Sequence, residues 1–436
     1  MKKNRYIKLF WFLGVLVSIS SCVEELDIEN VANENGGMLV VEATFTDNLE
    51  TQQVFLTRSV ARLDIETDTT YFRFRPLGLG LQDSVEYEEN ARVVLIGSDG
   101  NNFDFFEEQQ GVYSSTQSFA LQQGVEYRLQ ISTSSNIDYE SDAISLPATS
   151  RLANLYAERI TTDLGEEGIQ IFADSEPIGS GSPNYRYTYD ETYKIVAPFW
   201  REEDYVLTNY DPCALPVPTY DLEILPREVQ NQICYSTVKS NTVIQSEVQT
   251  SGNSVQRFPV RFIPKDNYVT AHRYSILVRQ LVQNSASFDF YNALKEFSEN
   301  DNLFSQVQPG PLAANVTRSD GTQETVLGYV DASTVSEQRI YIEFNDFFPG
   351  EPLPDYPFPC TLESAPESHV SYCFTGLNAN SCPPSVIERV NDGLINYVGE
   401  NIDNIGVCPG IDVFVARVCG DCTLIGQNTP PDFWEE

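Results

Sequence analysis

"NYRYTYDETYKIV", residues 184–196, decides the fold. Tyr185, Tyr187 and Tyr189 alternate with polar residues, the two-residue period of a strand with one face turned inward. Tyrosine ladders can bind sugars, but they more often form the amphipathic inner face of a sheet, so a core role is the expectation.

The same period recurs on both sides of this stretch. In "GVEYRLQIS" (124–132), Val125, Tyr127, Leu129 and Ile131 alternate. "MLVVEATF" (38–45) and "QQVFLTRSV" (52–60) read as a pair of strands around the turn-like "TDNLET". "ARVVLIGSDGNNFDFFE" (91–107) places Asp99-Gly100 between two strand-like runs, a hairpin signal because those residues tolerate positive φ. Asp99, Asn101 and Asp104 could also be read as an incomplete calcium loop, but the turn is the favoured reading. "GIQIFADSE" (168–176), "HRYSILVRQLV" (272–282) and "IDVFVARVC" (411–419) add further strands. One segment changes period: in "SASFDFYNALKEFSEN" (285–300), Phe290, Ala293, Leu294 and Phe297 recur at helical spacing, with Ser287 placed as the cap and Asp289 in the first turn.

These patterns predict a mainly β protein: tandem immunoglobulin-like or fibronectin-like β-sandwiches, one short helical insertion and a disulfide-rich C-terminal region. The expected boundaries are a leader over 1–21, a tether over 22–37, a first sandwich over 38–149 and a second over 150–350 with a helix near 287–299. A cysteine-rich region over 351–436 is expected to pack on the second sandwich.

The amino-terminal end carries an address. Lys2, Lys3, Arg5 and Lys8 precede the apolar run "LFWFLGVLVSI", the form of a secretory signal and too short for a comfortable membrane span. Ile19-Ser20-Ser21-Cys22 is similar to a bacterial lipobox, in which the cysteine is acylated and becomes the new amino terminus. Each buried acyl CH₂ contributes roughly 0.8 kcal/mol, so two or three chains anchor a soluble body durably. "VEELDIENVANENGG" (23–37) reads as a flexible acidic tether, in which Glu24 and Glu25 resemble a surface-export signal.

The balance of 27 basic against 63 acidic residues gives a formal net charge of −36. Such a charge repels nucleic acid and anionic head groups, so neither is an expected partner. With Cys22 assigned to lipid, eight of the nine cysteines remain: Cys213, Cys234, Cys360, Cys373, Cys382, Cys408, Cys419 and Cys422. An even set behind a secretory signal favours disulfides. Connectivity stays open, with Cys213–Cys234 the most local pairing.

Chemistry-bearing motifs are sparse. His272 and His369 are the two histidines, and neither sits in a zinc pattern. "GSGSP" (179–183) lacks the spacing of a nucleophile elbow. "CGDC" (419–422) has redox spacing but ends a strand where a redox pair would open a helix, so structural disulfides are favoured over redox or metal roles. No catalytic residue, metal or cofactor is expected. Thr69 in "TDTTY" and Ser84 in "QDSVE" resemble short O-glycosylation motifs of Bacteroidota.

Several stretches resemble, in order, the Bacteroidota lipoproteins that carry the domain of unknown function DUF4249. They are "MLVVEATFTDNLETQQVFLTRS", "FALQQGVEYRLQISTSSNIDYES", "FYNALKEFSENDNLFSQVQPGPLAANV", "VLGYVDAS" and "CGDCTLIGQNTPPDFW". Residues 195–265 follow the pattern less closely. The resemblance implies a β-sandwich lipoprotein of the outer membrane, often encoded beside a TonB-dependent transporter, without established enzymatic activity. The expectation is therefore a non-enzymatic, lipid-anchored accessory subunit facing the cell exterior. Its partner would be an outer-membrane β-barrel, such as a TonB-dependent, SusC-like transporter, or another multi-subunit assembly. The alternative is a surface lipoprotein that captures glycan or peptide on aromatic faces, such as the region of Trp200.

Overall fold

The computed structural model describes residues 37–59, 86–177, 184–247, 254–299, 312, 314–368, 385–406 and 409–436. The first strands are β1 (Leu39–Thr46), β2 (Gln53–Arg58), β3 (Glu86–Tyr87), β4 (Arg92–Gly97), β5 (Asn102–Gln109), β6 (Val112–Ser115), β7 (Glu126–Ser132), β8 (Asp138–Ser141) and β9 (Ile144–Ser145). Next come β10 (Leu152–Thr161), β11 (Glu167–Ser175), β12 (Asn184–Val196), β13 (Glu203–Asp211), β14 (Thr219–Pro226), β15 (Ile233–Lys239), β16 (Ile244–Glu247), β17 (Phe258–Pro264) and β18 (Tyr274–Gln283). Helix α1 (Ser285–Glu299) is followed by β19 (Val316–Arg318) and the long β20 (Leu327–Ile342). The chain closes with α2 (Phe344–Phe347), α3 (Val386–Asn391), β21 (Ile395–Glu400), β22 (Asp412–Ala416) and α4 (Arg417–Gly420).

The mainly β expectation holds. Alternation produces the expected burial: Tyr127, Leu129 and Ile131 of β7 are buried while their neighbours are not. Tyr185, Tyr187 and Tyr189 of β12 are core residues. The Asp-Gly hairpin also forms. Gly100 takes φ +90°, and the Gly97 N–H donates to the Asn101 carbonyl at 2.8 Å. Asp99 closes this turn by accepting from the Asn101 backbone N–H (3.1 Å) and side-chain amide (2.7 Å), so its carboxylate is used in the loop.

A single hydrogen-bonded path, β15-β12-β18-β20-β1-β2-β6-β5-β4-β7-β8-β19, runs through two cores. The first core is enclosed by this sheet, with Leu39, Val41 and Phe45 of β1 meeting Val93, Leu95, Tyr113, Tyr127 and Leu129. It also takes Val316, Val326, Val330 and Ala332 from far along the chain. In the second core, the three-stranded sheet β10-β11-β17 packs Ile169, Ile171, Val260 and Ile263 against Tyr185, Tyr187, Ile276 and Val278 of β12 and β18. Each such aliphatic or aromatic side chain stabilises the fold by about 1.5–3 kcal/mol through apolar burial.

β20 joins the two halves. Its first part pairs in parallel with β1, from Val40↔Leu327 to Thr46↔Ser333, and its second part pairs antiparallel with β18. At the start of the parallel ladder, Gly328 has φ +86°, and an added Cβ would run into the Val41 carbonyl oxygen. Gly328→Ala is therefore expected to lower stability by about 2 kcal/mol or more. Gly100→Ala meets open space at its turn, so it should cost only about 1 kcal/mol for its positive φ. Urea denaturation of the two variants checks the ranking.

Helix α1 starts two residues before the expected Ser287. Its cap is Asn284, whose Oδ1 accepts from the Ser287 N–H at 2.8 Å, while the buried Ser287 hydroxyl accepts from Gln283 Nε2. Ser287 is thereby corrected from cap to first-turn residue, and Asp289 falls outside the first turn, which contains no acid. Phe288 enters the protein, Phe290 stacks on Tyr329 at 4.8 Å, and the Arg186 guanidinium lies 4.2 Å over the Tyr291 ring.

Candidate functional site

Cys22, Glu24, Glu25, Thr69, Ser84, residues 179–183, His369, Cys373, Cys382 and Cys408 lie outside the described residues. Of the five described cysteines, four form two bridges, Cys234–Cys422 and Cys360–Cys419. The local pairing of Cys213 with Cys234 is thus overturned. Cys234 lies on β15 with its side chain fully buried against Ile195, Ala197 and Cys422. Cys213 follows β13 on an exposed loop and is unbonded. The two cysteines of "CGDC" leave toward different partners, so they form no bridge with each other. β22 has already ended at Ala416, and the motif occupies α4 and the 3₁₀ turn after it.

These bridges fasten a carboxyl-terminal lobe. Among the described residues the hairpin β13–β14 pairs with no other strand; its Tyr205, Leu222 and Ile224 face Val386 and Val390 of α3, Ile395 and Tyr397 of β21 and Phe414 of β22. Asp204 locks the base of the hairpin. It accepts from Asn396 Nδ2 (2.5 Å) and the Tyr397 N–H (2.8 Å) and pairs with Arg227 (3.0 Å). Ser385 caps α3 in a reciprocal capping box with Glu388. On the second core, the bridge Cys234–Cys422 sits among Tyr268, Trp200, Tyr356 and Ile425. The ending of the chain follows: Gln427 pairs with Tyr235, Arg339 lies 3.5 Å over the Phe433 ring, and Glu436 reaches Lys194 at 2.9 Å.

The free end of this hairpin is apolar. Leu215 is 93% exposed and Val217 49%, beside Pro216 and Pro218, and Val229 and Leu225 are exposed near its base. Sequence reading did not single these residues out, since a Pro-rich loop does not announce whether its apolar side chains are covered. A rigid body that presents apolar side chains on a braced hairpin loses little conformational freedom when it docks, which is what an interaction element needs.

The aromatic groups suggested for ligand capture are used internally. Trp200 Nε1 donates to Asn231 Oδ1 at 2.9 Å and its ring packs on the bridged cysteines, while the β12 tyrosines are buried. A polar, open depression of about 560 Å³ lies beside Gln245, Gln256, Arg257, Phe288 and Asn292. Among the described residues, no group of three or more His, Cys, Asp or Glu side chains is placed to hold a metal ion. None of their helices is long and apolar enough to cross a membrane.

His272 sits against Tyr268, and burial, then the Lys194 charge, lowers its pKa, with Glu343 opposing. The folded protein therefore resists protonating this imidazole, and stability falls as pH drops below the ordinary histidine value. The expected result is a lower melting temperature at pH 5 than at pH 7, with a smaller decrease in His272→Gln. Thermal melts of the two proteins across that range check it, above the window in which the lowered Glu167, Glu436 and Asp320 carboxylates titrate.

The fold and this lobe define a mainly β protein with a bridged, hairpin-bearing appendage. The family model described as Domain of unknown function (DUF4249) matches residues 23–339, and the chain belongs to that family. The match takes in the first core, most of the second and the β13–β14 hairpin, while Ile342, Phe344 and Phe348 of the second core and α3, β21 and β22 follow it. No curated protein and no solved structure matches the chain.

Proposed function

We propose that the protein is a non-enzymatic lipoprotein of the bacterial outer membrane, held by Cys22 with its body facing the cell exterior. It serves as an accessory subunit of an outer-membrane β-barrel, a TonB-dependent transporter of the SusC kind or another multi-subunit assembly. The observation that carries this reading is the braced hairpin with exposed Leu215 and Val217 at its free end. Its supports are the lipobox-like Ile19-Ser20-Ser21-Cys22, the export-like Glu24 and Glu25 and the acidic tether. A lipid and a short tether keep the body at high effective concentration beside a membrane partner, so a modest contact suffices. Thr69 and Ser84 serve as glycan acceptors in the same reading.

Crosslinking in intact cells, followed by detergent solubilisation and purification, tests it. The expected result is recovery of a barrel protein with the natural chain and at least about tenfold less with Leu215→Asp/Val217→Asp, since central apolar anchors each contribute on the order of 2 kcal/mol and about 1.4 kcal/mol is tenfold. Recovery of the natural chain only as a free monomer overturns the reading.

A further inference from the structure

Among the described residues, the carboxyl-terminal lobe concentrates negative charge that its own cations do not answer. In the β21–β22 ladder, Glu400 stands directly opposite Asp412, an arrangement that is unfavourable for like charges. Glu367 lies close by. Burial first, then Glu367 and Glu400, raise the Asp412 pKa, and the nearby Tyr205 hydroxyl opposes them. The ion pairs of the lobe go elsewhere: Arg227 to Asp204, Arg389 to Glu363 and Arg417 to Asp421.

Three tyrosines line the same seam. Tyr205, 8% exposed, meets Tyr397 edge to face at 5.4 Å. Its hydroxyl is buried beside Asp412, in a geometry that completes no good hydrogen bond. Tyr220 donates to Glu367, and burial, then that carboxylate, pushes its pKa up to about 12. Asp412, Glu367, Tyr220 and Tyr397 are half-buried and Glu400 is exposed, so the seam is reachable from solvent.

We propose that this seam receives an arginine side chain of a protein partner. A guanidinium offers five donors in a planar fork, enough to bridge Glu400 and Asp412, and its face can lie on the Tyr397 ring. It removes the cross-strand repulsion, and one of its N–H groups can donate to the buried Tyr205 phenol oxygen. A metal ion fits less well, because these carboxylates are not drawn together as a coordination group. The inference rests on the accessory-subunit reading only for the partner's identity; the recognition chemistry belongs to the lobe.

The test uses the mature chain with its bridges intact and a fluorescein-labelled tetra-arginine amide, followed by anisotropy at about 150 mM salt, where diffuse attraction to an acidic surface is screened. Glu400→Gln/Asp412→Asn is expected to weaken binding about tenfold or more, as expected when paired interfacial charges are removed. Tyr205→Phe should weaken it about threefold, the loss of one hydrogen bond. Asp163→Asn, on the exposed turn between β10 and β11, removes charge elsewhere and should leave binding within about twofold. Because the carboxamides relieve repulsion, the double variant should also melt at or above the natural chain.

Equal weakening by Asp163→Asn and the double variant overturns the site. Displacement of the peptide by millimolar calcium chloride overturns the choice of an organic cation. Loss of peptide binding in a chain that still recovers its barrel refutes the seam alone. A chain that binds the peptide but recovers no barrel refutes the accessory reading and leaves the seam standing.

Discussion

Glu191→Ala is expected to destabilise the fold by about 3 kcal/mol, the largest effect of any single substitution considered, because it removes a buried carboxylate that holds a half-buried arginine and a buried tyrosine. Glu191 is 5% exposed on β12. Its carboxylate accepts from Arg261 Nε at 3.1 Å and Nη2 at 3.2 Å, and from the Tyr274 hydroxyl at 2.8 Å. Arg261 comes from β17 in the three-stranded sheet and Tyr274 from β18 in the facing one, so the carboxylate ties the two layers of the second core together. Burial acts to lower the Arg261 pKa, but the Glu191 charge and hydrogen bond reverse it and the net direction is up. Without Glu191, the half-buried Arg261 guanidinium keeps its Nη1 bond to the Phe262 carbonyl but loses its counter-charge, and the buried Tyr274 hydroxyl loses its acceptor. Glu191→Leu/Arg261→Met removes both charges and should recover most of the loss. Equilibrium denaturation of the single and double variants separates the two cases; a single variant within about 1 kcal/mol of the natural chain would show that water reaches this pair.

The second large effect concerns the bridges. Replacing Cys234 and Cys422 together with serine is expected to cost about 2–5 kcal/mol, since this bridge has a sequence separation of 188 and restrains much of the unfolded chain. The folded lobe would keep the Cys422 N–H bond to the Asn231 carbonyl (3.0 Å) and the Phe199 N–H bond to the Cys419 carbonyl (3.0 Å). Cys360–Cys419, with a separation of 59, closes a shorter loop and should cost somewhat less. Limited proteolysis should cut the serine variant of Cys234 and Cys422 first within the lobe, while the first core stays intact. Cleavage that begins in both cores at once would mean that the bridge supports the whole body.

Much of the architecture was legible where a strand has one wet and one dry face. β7 and the first part of β12, from Tyr185 to Glu191, show it: the residues at every second position are the buried ones. The partnership of β1 with β20 was not legible, because period tells which face is buried and nothing about which distant strand lies alongside. For the same reason the first core looked self-contained over 38–149, although Val316, Val326, Val330 and Ala332 enter it. Cysteine pairing failed differently. Loop-closure entropy changes slowly with length, so nearness along the chain discriminates weakly between partners. Burial decided it, by setting Cys234 inside beside Cys422 and leaving Cys213 outside. At α1, Ser287 and Asn284 are both competent caps, and the choice fell to Asn284 because the Ser287 hydroxyl turns inward to Gln283. The apolar end of the hairpin and the acidic seam depend on contacts between residues 205–220 and 367–412, which no local pattern reveals.

The parallel ladder between β1 and β20 also sets how the body responds to force. A pull at Gly37 along the axis of β1 does not peel this ladder open one bond at a time. It loads the seven registered pairs from Val40↔Leu327 to Thr46↔Ser333 together, in shear. β20 continues from there into its pairing with β18, so the strain spreads into the strands of the second core. A chain drawn from its amino-terminal side in flow would yield late, and the two cores would share the tension.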